Sequence, residues 1–335
     1  MIHSIIFLFV ILFISFITLK INKQYDGNLL SINISNILRG IAILLVILQH
    51  ISGHLGTNIF TPRGGTGVAI FLFLSGFGLN ESFKKKGFTD FWKNRIIKVF
   101  IPYMVLISII TIVKYNNINL KIYLYDILGI KTSYWYIAFL LKQYILFYIC
   151  TKFFCKVKLY IFVLCSIIFL FTFPNIEAEQ SFSFLTGVLI SEYYQDIKRM
   201  VEKRYLVVSI IFFIIGTIFL GIKQLHFIRL YEGHYIYSII QLFIKLPYAL
   251  FFIGIVHYLN ILISSRFLKF SGRISYELYL VHMIFLQYIN DNIYMAFFIL
   301  MVSYIISYLF FLFNSHISSK LKKYIHVIKD STLHT

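Results

Sequence analysis

Long runs of Ile, Leu, Phe and Val, broken by short polar clusters, set the organisation of this chain. A helix that crosses a bilayer needs about 20 mostly apolar residues, fewer where it packs inside a bundle. On that basis the sequence contains eleven candidate spans, near 3–19, 37–55, 66–80, 99–114, 133–151, 159–173, 181–194, 205–222, 236–259, 274–290 and 293–313. The third and seventh are short enough to be re-entrant or tilted. No span repeats another closely. The first has no basic residue before it, has Lys20 and Lys23 after it, and lacks a small-residue cleavage site, so it reads as a reverse anchor and not a cleaved signal peptide.

Composition narrows the class. Of 335 residues, 59% are hydrophobic and 13% charged, about half the charged share of a water-soluble domain. Soluble enzyme, disordered tail and disulfide scaffold are excluded, and only 4 prolines favour helices over barrel turns. The expected fold is an all-α polytopic integral membrane protein with about 11 transmembrane helices. The net charge of +18 follows topology, because 22 of the 31 Lys and Arg fall on one set of alternate connecting segments against 6 on the other. That bias places the amino terminus outside and the carboxyl terminus in the cytoplasm. No nucleic-acid motif is present. Cys150, Cys155 and Cys165 have neither CxxC spacing nor a paired His, so they read as inert and no metal is expected. The sequons at Asn33 and Asn80 fall on predicted inner loops and read as chance. Abundant Ile, Lys and Asn suggest an AT-rich bacterial genome and thus the bacterial cytoplasmic membrane.

Ionisable groups inside spans cost about 2.5–3.5 kcal/mol each on insertion scales and call for explanation. Arg39 and His50 are eleven residues apart in the second span. At 100° per residue they point to one face, separated along the axis by roughly 16 Å. The alternative is a snorkelling Arg39 and a His50 bonded to a neighbouring helix. The run Arg63-Gly-Gly-Thr-Gly67, leading to Ser75-Gly76-Phe77, lacks the ending of a phosphate loop. Its small residues permit close backbone approach or a chain break near a cavity. Arg95 and Lys98, spaced i,i+3, are expected to share a helix face at the inner surface, where a phosphorylated ligand can meet them. Lys84–Lys86 read as topogenic charge against anionic lipid. His282 lies seven residues into the tenth span from Ser275, with Tyr279 one turn before it; Glu277 is not on its face. Lys142, Lys245 and His257 read as structural or snorkelling groups.

The pattern resembles the acyltransferase-3 membrane proteins, many of which O-acetylate bacterial surface carbohydrates. The matching residues are Leu38-Arg39-Gly40-Ile41-Ala42 through His50, Gly67-Val68 to Ser75-Gly76-Phe77, and Phe91 to Arg95 with Pro102. Ser133-Tyr134-Trp135-Tyr136 and Ser275-Tyr276 through Tyr279-Leu280-Val281-His282 follow in the same order. The chain then divides into an additional anchor at 1–22, an acyltransferase-3-like membrane domain at 36–313 and a cytoplasmic tail at 314–335. Departures from the pattern are that anchor, Lys98 where arginine is common, and no extracytoplasmic hydrolase-like domain after the last span.

The resemblance implies acyl transfer from an acyl-coenzyme A, acetyl-CoA above all, to a carbohydrate hydroxyl. Such transfer needs a base and a stabiliser of the developing oxyanion. His50 is the candidate base or transient acyl carrier, Arg39 holds a donor phosphate or carbonyl, and His282 lines the same cavity. Arg95, Lys98 and Ser75 are the candidate donor-binding residues. Expected partners are the carbohydrate acceptor, acyl-CoA and membrane lipid, with no nucleic acid; a homo-oligomer is compatible with the sequence. Two other classes fit the composition: a transporter or flippase for a glycan or lipid-linked sugar, and a scaffold subunit of an envelope assembly.

Overall fold

The structure, a computed structural model, describes residues 1–21, 30–114, 119–173, 175–202, 204–260 and 263–333. Lys23 and Lys203, both counted in the charge bias, lie outside the described residues. Eleven main helices occupy the eleven apolar runs. They are α1 (Ile2–Ile17), α2 (Ile32–His54), α3 (Thr61–Lys86), α4 (Phe91–Val113), α5 (Trp135–Phe153) and α6 (Lys158–Thr172). Then follow α7 (Ser183–Glu192), α8 (Tyr205–Gln224), α9 (Tyr235–Asn260), α10 (Ser275–Phe285) and α11 (Ile293–Leu333). Seven of these, α2 to α5, α8, α9 and α11, are long and apolar enough to cross a membrane. The other four are shorter: α7 has 10 residues and α10 has 11, so neither can span the hydrocarbon alone. The result is an all-α membrane protein. Leu19–Ile21 (β1) and Ile263–Ser265 (β2) form a three-residue antiparallel ladder that the hydrophobic pattern did not reveal. A Thr18–Ser265 hydroxyl contact of 2.9 Å adds to it, and together they tie the end of α1 to the segment after α9.

Apolar residues are distributed as a lipid environment demands. Large side chains on α8, such as Val207 and Ile211, are half exposed or more. Water would penalise that surface at about 25 cal/mol per Å², whereas lipid does not. The core is formed by α2, α3, α5, α7 and α10 and is nearly closed: Leu38, Ile43, Phe73, Phe139, Phe184 and Leu280 are at most 0% exposed.

Small residues decide how these helices sit. A Cβ on Gly40 of α2 would run into the backbone carbonyl of Leu268, and one on Gly272 into that of Asn36. These two glycines let the short helix Arg266–Arg273 lie directly on α2. Gly76 of α3 and Gly187 of α7 make the equivalent approach, each facing the other helix's backbone. Asn80 at the end of that contact is fully buried and bonds to Ser191 and Glu192, both at 2.9 Å, so its sequon has no surface role.

Within α4 the chain widens to a π turn at Ile96–Phe100, where the Ile101 N–H reaches the Ile96 carbonyl. Pro102 follows directly, lacks an N–H and would crowd the carbonyl four residues back in a regular helix. The wider turn removes that clash.

Candidate active site

Two histidines from helices distant in sequence meet in the core. His50 Nδ1 lies 3.0 Å from His282 Nε2, and the rings are nearly parallel at 13°. His282 Nδ1 lies 2.8 Å from the carbonyl oxygen of Leu278, which can only accept. A neutral pair therefore has one arrangement. His282 Nδ1–H donates to Leu278, His282 Nε2 accepts, and His50 Nδ1–H donates to it. His50 Nε2 is left with its lone pair and no proton. His282 is buried at 2% exposure, while His50 lines a cavity of about 300 Å³. The arrangement is a base held in one tautomer by a second imidazole that is itself fixed by the helix backbone.

The His50 cavity is polar. Gln49, Gln180, Gln241, Glu179 and Lys245 line it together with Ser133 and Trp135. Lys245 does not snorkel: it is buried and ion-paired with Glu179. Lys142 bonds both Glu177 carboxylate oxygens at 2.9 and 2.8 Å. The His257 ring packs against Tyr205 at 4.3 Å between centroids. Gln180 donates to the Gly65 carbonyl at 2.8 Å, which fastens the α6–α7 connection over the start of α3. Glu177, Glu179 and Gln180 were not singled out in the sequence, because they sit in a short connecting segment and acquire meaning only from the partners they meet, Lys142, Lys245 and the Gly65 carbonyl.

A second cavity of about 280 Å³ opens nearer the lysine-rich end of α3. Arg39, Lys98 and Arg273 bring three cations to it, and Ser75, Tyr136 and Tyr144 bring hydroxyls. Ser75 lies beside both tyrosines, and Arg39 lines the same cavity. Among the described residues no carboxylate lies within ion-pair reach of Arg39. Arg273 is exposed and comes to the cavity because Gly40 and Gly272 seat its helix on α2. It stands one residue before Ile274, where it reads in the sequence as an ordinary topogenic charge.

Arg95 and Lys98 do not share a face. Lys98 lines the cationic cavity, whereas Arg95 lines a neighbouring one; its guanidinium lies 4.6 Å from the Phe91 ring centroid, is bonded to the Phe91 carbonyl at 3.1 Å, and stands 5.7 Å from the ring centroid of Tyr144 in the cationic cavity's wall. The π turn is the reason: it holds more residues per turn than an α-helix, so the i,i+3 rule fails across it.

The two cavities share one wall residue, Tyr279. Arg39 and His50, on one face of α2, thus line separate cavities that have Tyr279 in common. Residues 32–325 match the acyltransferase-3 family, described as an acyltransferase domain. No curated protein and no solved structure matches the chain. The match takes in both histidines, all three cavity cations, helices α2 to α10 and most of α11, and the chain belongs to the acyltransferase-3 family.

Proposed function

We propose that the protein is an O-acyltransferase that takes an acetyl group from acetyl-CoA on the cytoplasmic side and places it on a carbohydrate hydroxyl of the bacterial cell surface or its lipid-linked precursor. The lysine-rich end of the bundle is taken as cytoplasmic, on the charge bias of the connecting segments. The observation that carries the reading is the His50–His282 pair, which leaves an unprotonated imidazole nitrogen beside a polar, sugar-sized cavity.

In this mechanism the phosphates of the donor rest on Arg39, Lys98 and Arg273, and the acyl end extends toward Tyr279. Arginine suits the phosphate contacts because its planar fork stays charged. The acceptor hydroxyl gives its proton to His50 Nε2 as its oxygen attacks the thioester carbonyl. The C–S bond then breaks, and His50 returns the proton to the departing thiolate, leaving an ester and free coenzyme A. Positive charge that develops on His50 is shared with His282 through the 3.0 Å contact.

Two cavities that share a wall residue also suit a transporter, but a transporter consumes no acetyl-CoA. Purified protein supplied with acetyl-CoA and envelope glycan distinguishes the two. The expected result is coenzyme A release that depends on the glycan, with O-acetyl signals in its NMR spectrum. Glycan movement without coenzyme A release would overturn the assignment.

A further inference from the structure

Basic residues are disfavoured on the end of the bundle opposite Lys84–Lys86, yet three of the six there converge. Arg63 of α3, Lys223 of α8 and Arg229 of the short helix His226–Arg229 line one recess of about 810 Å³. This recess and the His50 cavity share Thr61, Pro62, Glu232 and Tyr237 in their walls, so it is the approach to the histidine. None of the three cations forms a salt bridge among the described residues, and Glu232, which interacts with Lys223, offsets only part of their charge. Arg63 lies 4.7 Å from the Tyr248 ring centroid, Lys223 lies 5.5 Å from that of Tyr237, and Arg229 bonds to Gln224. Among the described residues none of the three has a carboxylate within ion-pair reach, and Glu232 is the only acid among the residues lining the recess.

Rings and an amide fix the direction of a cation while leaving its charge available. Three cations from three elements at the entrance of a catalytic cavity form a field that raises the local concentration of anions. We infer that the acceptor is an anionic glycan, bearing carboxylate or phosphodiester groups along its chain, and that Arg63, Lys223 and Arg229 grip its charges while a hydroxyl reaches His50. The inference rests on the acyltransferase reading for which end the acceptor enters.

The test is binding without an acyl donor, so its outcome does not depend on transfer chemistry. Protein in phosphatidylcholine nanodiscs is titrated with three labelled oligomers of equal length: oligogalacturonate, oligo(glycerol phosphate) and maltooligosaccharide. One or both anionic oligomers should bind at least about tenfold tighter than the neutral one and lose that advantage in high salt. Which of the two binds identifies the anion. Arg63→Gln/Arg229→Gln should lose about tenfold, while Lys121→Gln/Lys131→Gln, which removes the same charge from elsewhere at that end, should not. Lys223→Gln, a milder change, should lose severalfold and serves if the double variant does not fold. Equal binding of charged and neutral oligomers, or equal losses in both double variants, would overturn the inference. So would displacement of the bound oligomer by phosphatidylglycerol, because the cations would then be anchors for lipid headgroups.

Discussion

His282 Nε2 and His50 Nδ1 are joined at 3.0 Å across 232 residues of chain, and the direction of that hydrogen bond is set by Leu278. On the proposed mechanism the pair divides the labour: His50 faces substrate, and His282 decides which nitrogen of His50 carries the proton. His50→Ala should therefore abolish acylation while the protein still inserts, since the span becomes more apolar. His282→Ala should lower kcat by about 10²-fold or more with little change in KM for acetyl-CoA. His282→Gln, whose amide oxygen can still accept from His50, should restore part of the rate. Single-turnover kinetics on membranes with matched expression checks this, and equal activity of all three variants would refute the dyad.

Arg39, Lys98 and Arg273 should govern donor affinity. Arg39→Lys, Lys98→Gln and Arg273→Gln should each weaken coenzyme A binding by about 1.5–3 kcal/mol, the value of a charge-assisted contact. Arg95→Gln should do less, because its guanidinium lies on Phe91 and lines a neighbouring cavity. Lys85→Gln is a suitable control, since Lys85 is exposed. Lys84 is not, because it bonds to Glu81 and Ser191. Calorimetric titration with coenzyme A gives the order.

The glycine contact between α2 and Arg266–Arg273 predicts a stability effect with a functional consequence. Gly40→Ala places a methyl group against the Leu268 carbonyl, and overpacking of this kind costs about 1–3 kcal/mol. Because the displaced helix carries Arg273, coenzyme A affinity should fall along with the melting temperature in detergent. Gly53→Ala, where an added Cβ meets no atom within 4 Å, should change neither.

The buried Lys245–Glu179 pair should show strong coupling. Removing one partner strands the other charge and typically costs about 3–5 kcal/mol. Glu179→Leu should therefore lower thermal stability sharply. The double variant Glu179→Leu/Lys245→Met should recover much of the loss, and a double-mutant cycle on melting temperatures measures the difference.

Orientation is open to chemical labelling. A cysteine placed at Lys85 should react with an impermeant maleimide in lysed cells but not intact ones, and one placed at Arg229 should react in both. The reverse pattern would invert the direction of transfer.

Much of this was legible in the sequence, for reasons that are specific. Hydrophobic run length located the helices because lipid fixes the length a span must have, although α7 and α10 proved shorter than a span. The Arg39 and His50 spacing was informative because α2 is an uninterrupted α-helix, so 100° per residue holds along it. The same rule failed at Arg95 and Lys98, where the π turn changed the phase. Arg273 escaped notice because its position depends on Gly40 and Gly272, whose contacts join residues far apart in the sequence, Gly40 with Leu268 and Gly272 with Asn36. Glu177 and Glu179 escaped because a carboxylate in a short connecting segment is unremarkable until the lysine it meets is known. The His50–His282 contact was reachable only as shared cavity, since one-dimensional spacing carries no distance between helices.

Tyr279 is held on several sides. Its ring meets Tyr136 edge-on at 5.2 Å and Tyr134 at 6.2 Å, and the Tyr134 hydroxyl donates to the Leu280 carbonyl at 2.9 Å. On the proposed orientation the two cavities face opposite sides of the membrane, and a leak between them would endanger the voltage and proton gradient on which a cell runs. On the proposed mechanism this ring, which lines both cavities, would keep ions from passing between them while an acyl group reaches across. Trimming it to alanine would join them into a conduit, and the first symptom in the cell would be a falling membrane potential.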